Sequence, residues 1–175
     1  VDLTASVDRV PKTDMMVPLK AISFQGGGKV PSALVTLCRL GAKAGIICTV
    51  GDDKLGRYCV QELQDCGVDT AFIHMLQNTP TNLDICLAEK ETQSRSFIGR
   101  YTMPTVSQEQ LDKEYITSAS YLHLWQMSPA ALLAAEWMHE AGKTVIYDAD
   151  RYDKRTEKNI DKIDVFIGSE FYYHG

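Results

Sequence analysis

Gly26-Gly27-Gly28 is the stretch of this 175-residue chain best suited to holding a ligand. Consecutive glycines let the backbone turn sharply and come into contact with a bound molecule. The residues before the run, ending at Phe24, read as a strand. Those after it, from near Pro31, read as a helix, whose first turn a proline suits. The start of such a helix turns unbonded N–H groups toward hydroxyl or anionic ligand atoms. Two phosphate-binding patterns are excluded by register. With Lys29 as the lysine of a Walker A loop, the first glycine would be Ser23 and the following hydroxyl would be Val30. A dinucleotide fingerprint started from Gly26 and Gly28 meets Pro31 where its third glycine belongs. A tight strand-to-helix turn with no ligand fits the same residues.

Other polar groups lie at element ends. Asp148 closes an apolar strand, where a carboxylate serves either as a polar contact to a ligand or as a helix cap. Asp52 and Asp53 are placed to fix the turn after Val50 rather than to touch a substrate. His123 lies within an apolar strand and reads as an internal histidine with its ring satisfied; Trp125, Trp137 and Met138 read as packing. Cys38, Cys48, Cys59, Cys66 and Cys86 contain no C-x-x-C pair, so neither a zinc site nor a disulfide framework is expected. Buried free thiols in a reducing compartment are the simpler reading.

The elements that must position these groups follow one grammar. An apolar helical run, a glycine and a β-branched strand recur at residues 33–50 around Gly41, at 58–73 around Gly67 and at 129–148 around Gly142. Glycine is favoured just past a helix end because it enters the left-handed region without a Cβ clash. The strands are continuously apolar, as in a parallel sheet covered by helices on both faces. One parallel core sheet is expected, containing residues 46–50, 121–124, 144–148 and 164–167. Residues 17–25 and 81–98 read instead as strands without helices. Asn82-Leu83-Asp84-Ile85-Cys86-Leu87 alternates, as does Arg95-Ser96-Phe97-Ile98 after a polar turn, so a hairpin in a small antiparallel sheet is expected there. The chain stops at Gly175 at the start of another helix, and the domain is read as incomplete.

Composition narrows the partners. Lys+Arg 18 against Asp+Glu 23 gives a net charge of −5, which disfavours nucleic acid and anionic membrane surfaces as general partners. The apolar runs are far below the ~20 residues that span a bilayer, and no signal-peptide pattern opens the chain. A cytoplasmic protein is expected.

Together the pieces resemble the ribokinase/PfkB family of carbohydrate kinases. The residues that carry the resemblance are Gly27-Gly28-Lys29-Val30-Pro31-Ser32-Ala33, Arg39-Leu40-Gly41-Ala42, Val50-Gly51-Asp52-Asp53-Lys54-Leu55-Gly56, Leu63 and Gly67-Val68-Asp69-Thr70. Asp148-Ala149-Asp150-Arg151 is similar to the family's Asp-Pro-Asn element. Residues 164–170 are similar to the strand that leads to its Asn-x-x-Glu motif. The resemblance implies a ribokinase-like α/β fold, mainly a parallel sheet flanked by helices, with residues about 17–25 and 81–98 as a β-sheet lid. It implies transfer of a phosphoryl group from ATP, with Mg²⁺, to a hydroxyl of a small-molecule sugar, and a homodimer formed through the lid.

On that resemblance Asp2, Gly27, Gly28 and Ser32 line the sugar site, with Arg100 reaching it from the lid. Asp148 and Ser169 lie on the phosphate side, and no metal ligand is assigned. The family's base sits in a Gly-Ala-Gly-Asp motif that is absent here and is expected beyond Gly175, so the 175-residue chain alone is expected to be inactive. Two departures stand out. Ser32 replaces a sugar-contacting Asn, and Ser169-Glu170-Phe171-Tyr172 replaces Asn-x-x-Glu, losing both named residues. They leave a second reading open, a non-catalytic sugar-binding or regulatory relative of the kinases.

Overall fold

The computed structural model describes residues 1–173; His174 and Gly175 lie outside the described residues. The chain divides into two compact units, Val1–Pro104 and a second from Thr105 onward.

The first unit contains β1 (Asp2–Val7), β2 (Ala21–Gln25), α1 (Lys29–Arg39), β3 (Gly45–Gly51), α2 (Lys54–Asp65), β4 (Asp69–Leu76), β5 (Leu83–Glu89) and β6 (Ser94–Arg100). Strands β3 and β4 pair in parallel. Leu34 of α1, Leu63 of α2, Ile46 of β3 and Val68 are buried as one apolar cluster. Each such side chain contributes about 1.5–3 kcal/mol on burial. Asp53 caps α2 by accepting from the Gly56 N–H at 2.8 Å.

The remaining strands of this unit form a four-stranded sheet in the order β2-β1-β5-β6. The expected hairpin is present, with β5 and β6 antiparallel and residues 90–93 as its turn. Two expectations change. The sheet is mixed, because β1 lies at its centre, antiparallel to β2 and parallel to β5. Residues 17–20 lie outside β2. β1 belongs here for the same reason as β5, since Asp2-Leu3-Thr4-Ala5-Ser6-Val7 alternates polar with apolar.

The second unit contains α3 (Lys113–Ser118), β7 (Tyr121–Leu124), α4 (Pro129–Glu140), β8 (Thr144–Ala149), α5 (Lys154–Lys158), β9 (Val165–Gly168) and α6 (Glu170–Tyr173). Its sheet is parallel, in the order β7-β8-β9. Ser128 caps α4 and Pro129 opens it. Met138 of α4 and Val145 of β8 are fully buried.

The single core sheet expected from the apolar runs is therefore two ladders among the described residues, β3-β4 and β7-β8-β9. A continuously apolar strand signals burial on both faces but carries no information about which strand lies beside it. The glycine grammar holds: Gly41, Gly67 and Gly142 follow α1, α2 and α4, each at positive φ. Two smaller readings are corrected. Trp125 is 53% exposed, and Nε2 of His123 is buried with no hydrogen-bond partner. The five thiols are free; Cys86 is buried and the other four are partly exposed. No helix among the described residues is long and apolar enough to cross a membrane.

Candidate functional site

The strand ladders place one row of residues across the four-stranded sheet. Asp2 stands opposite Gln25 of β2 on one side and Asp84 of β5 on the other, and Asp84 stands opposite Gly99 of β6. Residues directly opposite share a face, so Asp2 and Asp84 present their carboxylates side by side. The Tyr101 hydroxyl donates to Asp84. Burial pushes the Asp2 carboxyl above its ordinary value of 3.8; the Asp84 charge adds to the rise, against the pull of the terminal ammonium.

The glycine run begins where β2 ends, beside Asp2. The Asp2 carboxyl group fills the space that a Cβ on Gly27 would occupy, so only glycine lets the two meet. Gly28 then caps α1 at φ 99°, and no side chain bonds the N–H groups of that cap. The helix start thus sets backbone N–H groups and a carboxylate within one small region, so donors and acceptors lie close together. Polyhydroxyl ligands need both. Ser32 sits in the exposed first turns of α1, its own N–H donating to the Gly28 carbonyl at 3.1 Å.

Arg100 is placed differently. It lies opposite Leu83, one position out of the Asp2 row, and its guanidinium donates to the Thr81 carbonyl at 2.7 Å. Thr81 is 5% exposed and belongs to a tight group. Its N–H and hydroxyl donate to Asp53 at 2.9 and 2.7 Å, and its hydroxyl accepts from the Gly51 N–H at 2.9 Å. Burial alone would raise the Asp53 carboxyl, but the hydrogen bonds from Thr81 and Gly56 and the Arg100 charge hold it below 3.8. Asp52 bonds Arg57 and Gln77. Both aspartates thus fix the turn, as their position after Val50 suggests.

Asp148 and Ser169 belong to the second unit, at the ends of β8 and β9. Ser169 uses its N–H on the Ala149 carbonyl and its hydroxyl on the Asp150 carbonyl, both at 3.0 Å. Neither donor is left for a phosphate in this arrangement. No three metal-binding side chains gather among the described residues.

Asp84 and Tyr101 were not singled out from the residues alone. The signal for Asp84 was present, because the alternation through residues 82–87 puts it on the polar face. Tyr101 gives no local signal, since its role depends on the β5–β6 pairing.

The fold is ribokinase-like α/β. The Arabidopsis thaliana ribokinase, solved with ribose and ATP, superimposes with a TM-score of 0.75 over 95% of this chain and 56% of that one, at 21% identity. The chain belongs to the pfkB family of carbohydrate kinases, whose pattern it matches over residues 1–171. Among curated relatives, an ATP-dependent ribose-1-phosphate kinase of Halopiger xanaduensis is 28% identical over 86% of this chain and 51% of that protein. A 5-dehydro-2-deoxygluconokinase of Clostridium botulinum is 30% identical over 88% and 49%. The chain therefore spans about half the length of the curated relatives it matches.

Proposed function

We propose that the protein is an ATP-dependent sugar kinase in which the first unit binds the sugar. The observation that carries this reading is the Asp2 carboxylate set against Gly27 at the uncapped start of α1. The carboxylate accepts from adjacent hydroxyls, and the backbone N–H groups donate to their oxygens. The four-stranded sheet acts as a lid, with its Asp2 face toward the sugar. ATP supplies the phosphoryl group when bound. The family's Gly-Ala-Gly-Asp base motif does not occur among these residues, so the 175-residue chain alone should not carry out transfer.

The opposite face of the lid is apolar. Phe24, Leu3, Ile85 and Ile98 form one row there, with Ile22 beside them, and Ile22 and Ile98 are 61% and 62% exposed. That face suits a homodimer in which two lids cover one another; light scattering at dilution tests it. A cytoplasmic location belongs to the same proposal and is supported by the free thiols.

A second reading is favoured by Ser169, whose donors are both spent on backbone. A relative that binds sugar without phosphorylating it would tolerate that arrangement. The experiment that separates the two is ADP formation by the full-length protein with D-ribose, D-fructose, ribose 1-phosphate and 2-dehydro-3-deoxygluconate. Sugar-dependent ADP release supports the kinase. Saturable sugar binding without ADP release supports the binding protein, and neither with any of the four overturns both.

A further inference from the structure

Helix α2 reaches the glycine run through one acidic residue. Tyr58 and Glu62 are four residues apart and share a helix face. Glu62 accepts from the Gly26 N–H through one carboxylate oxygen and from the Tyr58 hydroxyl, at 2.6 Å, through the other. The Tyr58 oxygen also lies 3.2 Å from the Phe24 carbonyl, and its ring packs on Phe24 with centroids 4.9 Å apart. Two residues of α2 therefore hold the end of β2 and the first glycine, from a segment 36 positions away.

A side chain at residue 26 would have to displace the Glu62 carboxylate from the Gly26 N–H and the Tyr58 hydroxyl. A Cβ on Gly26 would come within 2.6 Å of the Glu62 carboxylate oxygen. Gly27, the next residue, is the one whose backbone meets Asp2. A displacement at Gly26 is thus passed directly to the surface on which Asp2 rests. The hydrogen bond to Glu62, helped by burial, pushes the Tyr58 hydroxyl up to about 12, so it remains a donor throughout the neutral range.

We propose that Glu62, with Tyr58, is a positioning residue that sets the Gly26-Gly27-Gly28 turn at the height required for sugar binding. The proposal rests on the sugar-site reading above. Glu62 touches no sugar in it, and acts through Gly26.

The test is a double-mutant cycle in the full-length protein. Affinities are read by calorimetry, for ATP and for whichever of the four probe sugars binds most tightly. Glu62→Ala is expected to weaken sugar binding about tenfold, the loss of a charged hydrogen bond, with ATP binding unchanged. Glu62→Gln should stay within about threefold, because the amide oxygen can still accept from Gly26 while Tyr58 turns its proton to the Phe24 carbonyl. Gly26→Ala should weaken sugar binding about tenfold in the wild-type background, where the new methyl meets Glu62. It should have almost no further effect on Glu62→Ala, where that space is open. Strict additivity overturns the proposal, as does a Glu62→Ala protein with unchanged sugar affinity or with equal losses for sugar and ATP. If Glu62→Ala fails to fold, Tyr58→Phe and Gly26→Ala carry the same comparison of sugar against ATP. Asp2→Ala is the control. If it weakens binding while the Glu62 and Gly26 variants do not, only the positioning role falls; if it too has no effect, the sugar-site reading falls and takes the positioning role with it.

Discussion

Asp2 and Asp84 stand directly opposite one another in the parallel ladder between β1 and β5, with their carboxylates on one face of the sheet. Burial raises the cost of ionising Asp2, and the Asp84 charge adds to it. In the proposed site a sugar hydroxyl donates to the ionised form. Because the Asp2 pKa is raised, sugar affinity should be full above it and decline as pH falls through it, starting above the ordinary 3.8. Asp84→Asn removes one of the two raising influences and should shift that decline to lower pH. Sugar affinity measured between about pH 4 and pH 8 checks both points. A pH-independent affinity would contradict the role given to Asp2.

The same shift has a stability consequence of opposite sign. An acid whose pKa is raised in the folded protein is a burden on the fold above that pKa, and the burden disappears on protonation. Asp2→Asn should therefore leave the melting temperature at pH 7 unchanged or higher while weakening sugar binding. A fall of several degrees would show that the Asp2 charge supports the fold instead.

Gly28 sits at φ 99°, where a β-branched residue is strongly disfavoured. Gly28→Val should weaken sugar binding about tenfold or more, by moving the start of α1 and by filling the space between backbone and ligand. Gly41 is also at positive φ but has open space around it. Gly41→Val is thus the matched control, expected to lower stability and leave sugar affinity alone. Equal effects of the two on sugar affinity would remove the glycine run from the site.

Much of this was readable in the residues before any coordinates. The helix-glycine-strand junctions at Gly41, Gly67 and Gly142 are local, because a helix end and its left-handed glycine lie within a few positions. The hairpin at 83–100 is equally local. What escaped was pairing. That β1 lies beside β5, some eighty positions away, depends on which polar edge meets which, and alternation alone does not select the partner. The Asp2–Asp84 row follows from that long-range choice, and the grip of Glu62 on Gly26 is likewise a contact between segments far apart in the chain. Ser32 and the glycine run are candidates because family resemblance and a strand-to-helix turn point to the same place.

Asp53 joins the end of β3, the start of α2 and the segment before β5 through Gly56 and Thr81. Asp53→Ala removes a helix cap and leaves the Thr81 N–H and hydroxyl without their acceptor. A loss of about 2 kcal/mol is expected, and a melting temperature lower by about 4–8 °C. Its pKa is depressed, so its contribution is present above 3.8 and lost as pH falls below it. The wild type should lose stability on acidification more steeply than Asp53→Ala. Thermal melts of both proteins at neutral and acid pH check this, and identical acid profiles would contradict it.

The central claim is that Asp2 and the glycine run hold a sugar, and calorimetric titration of the full-length wild type and Asp2→Ala with the preferred probe sugar tests it most directly. The loss of a charged hydrogen-bond acceptor is worth about 1.5–3 kcal/mol, so sugar affinity should fall by about one to two orders of magnitude. ATP affinity should be unchanged in the same samples. Equal sugar affinity for the two proteins would contradict the account, as would a matched loss of sugar and ATP binding.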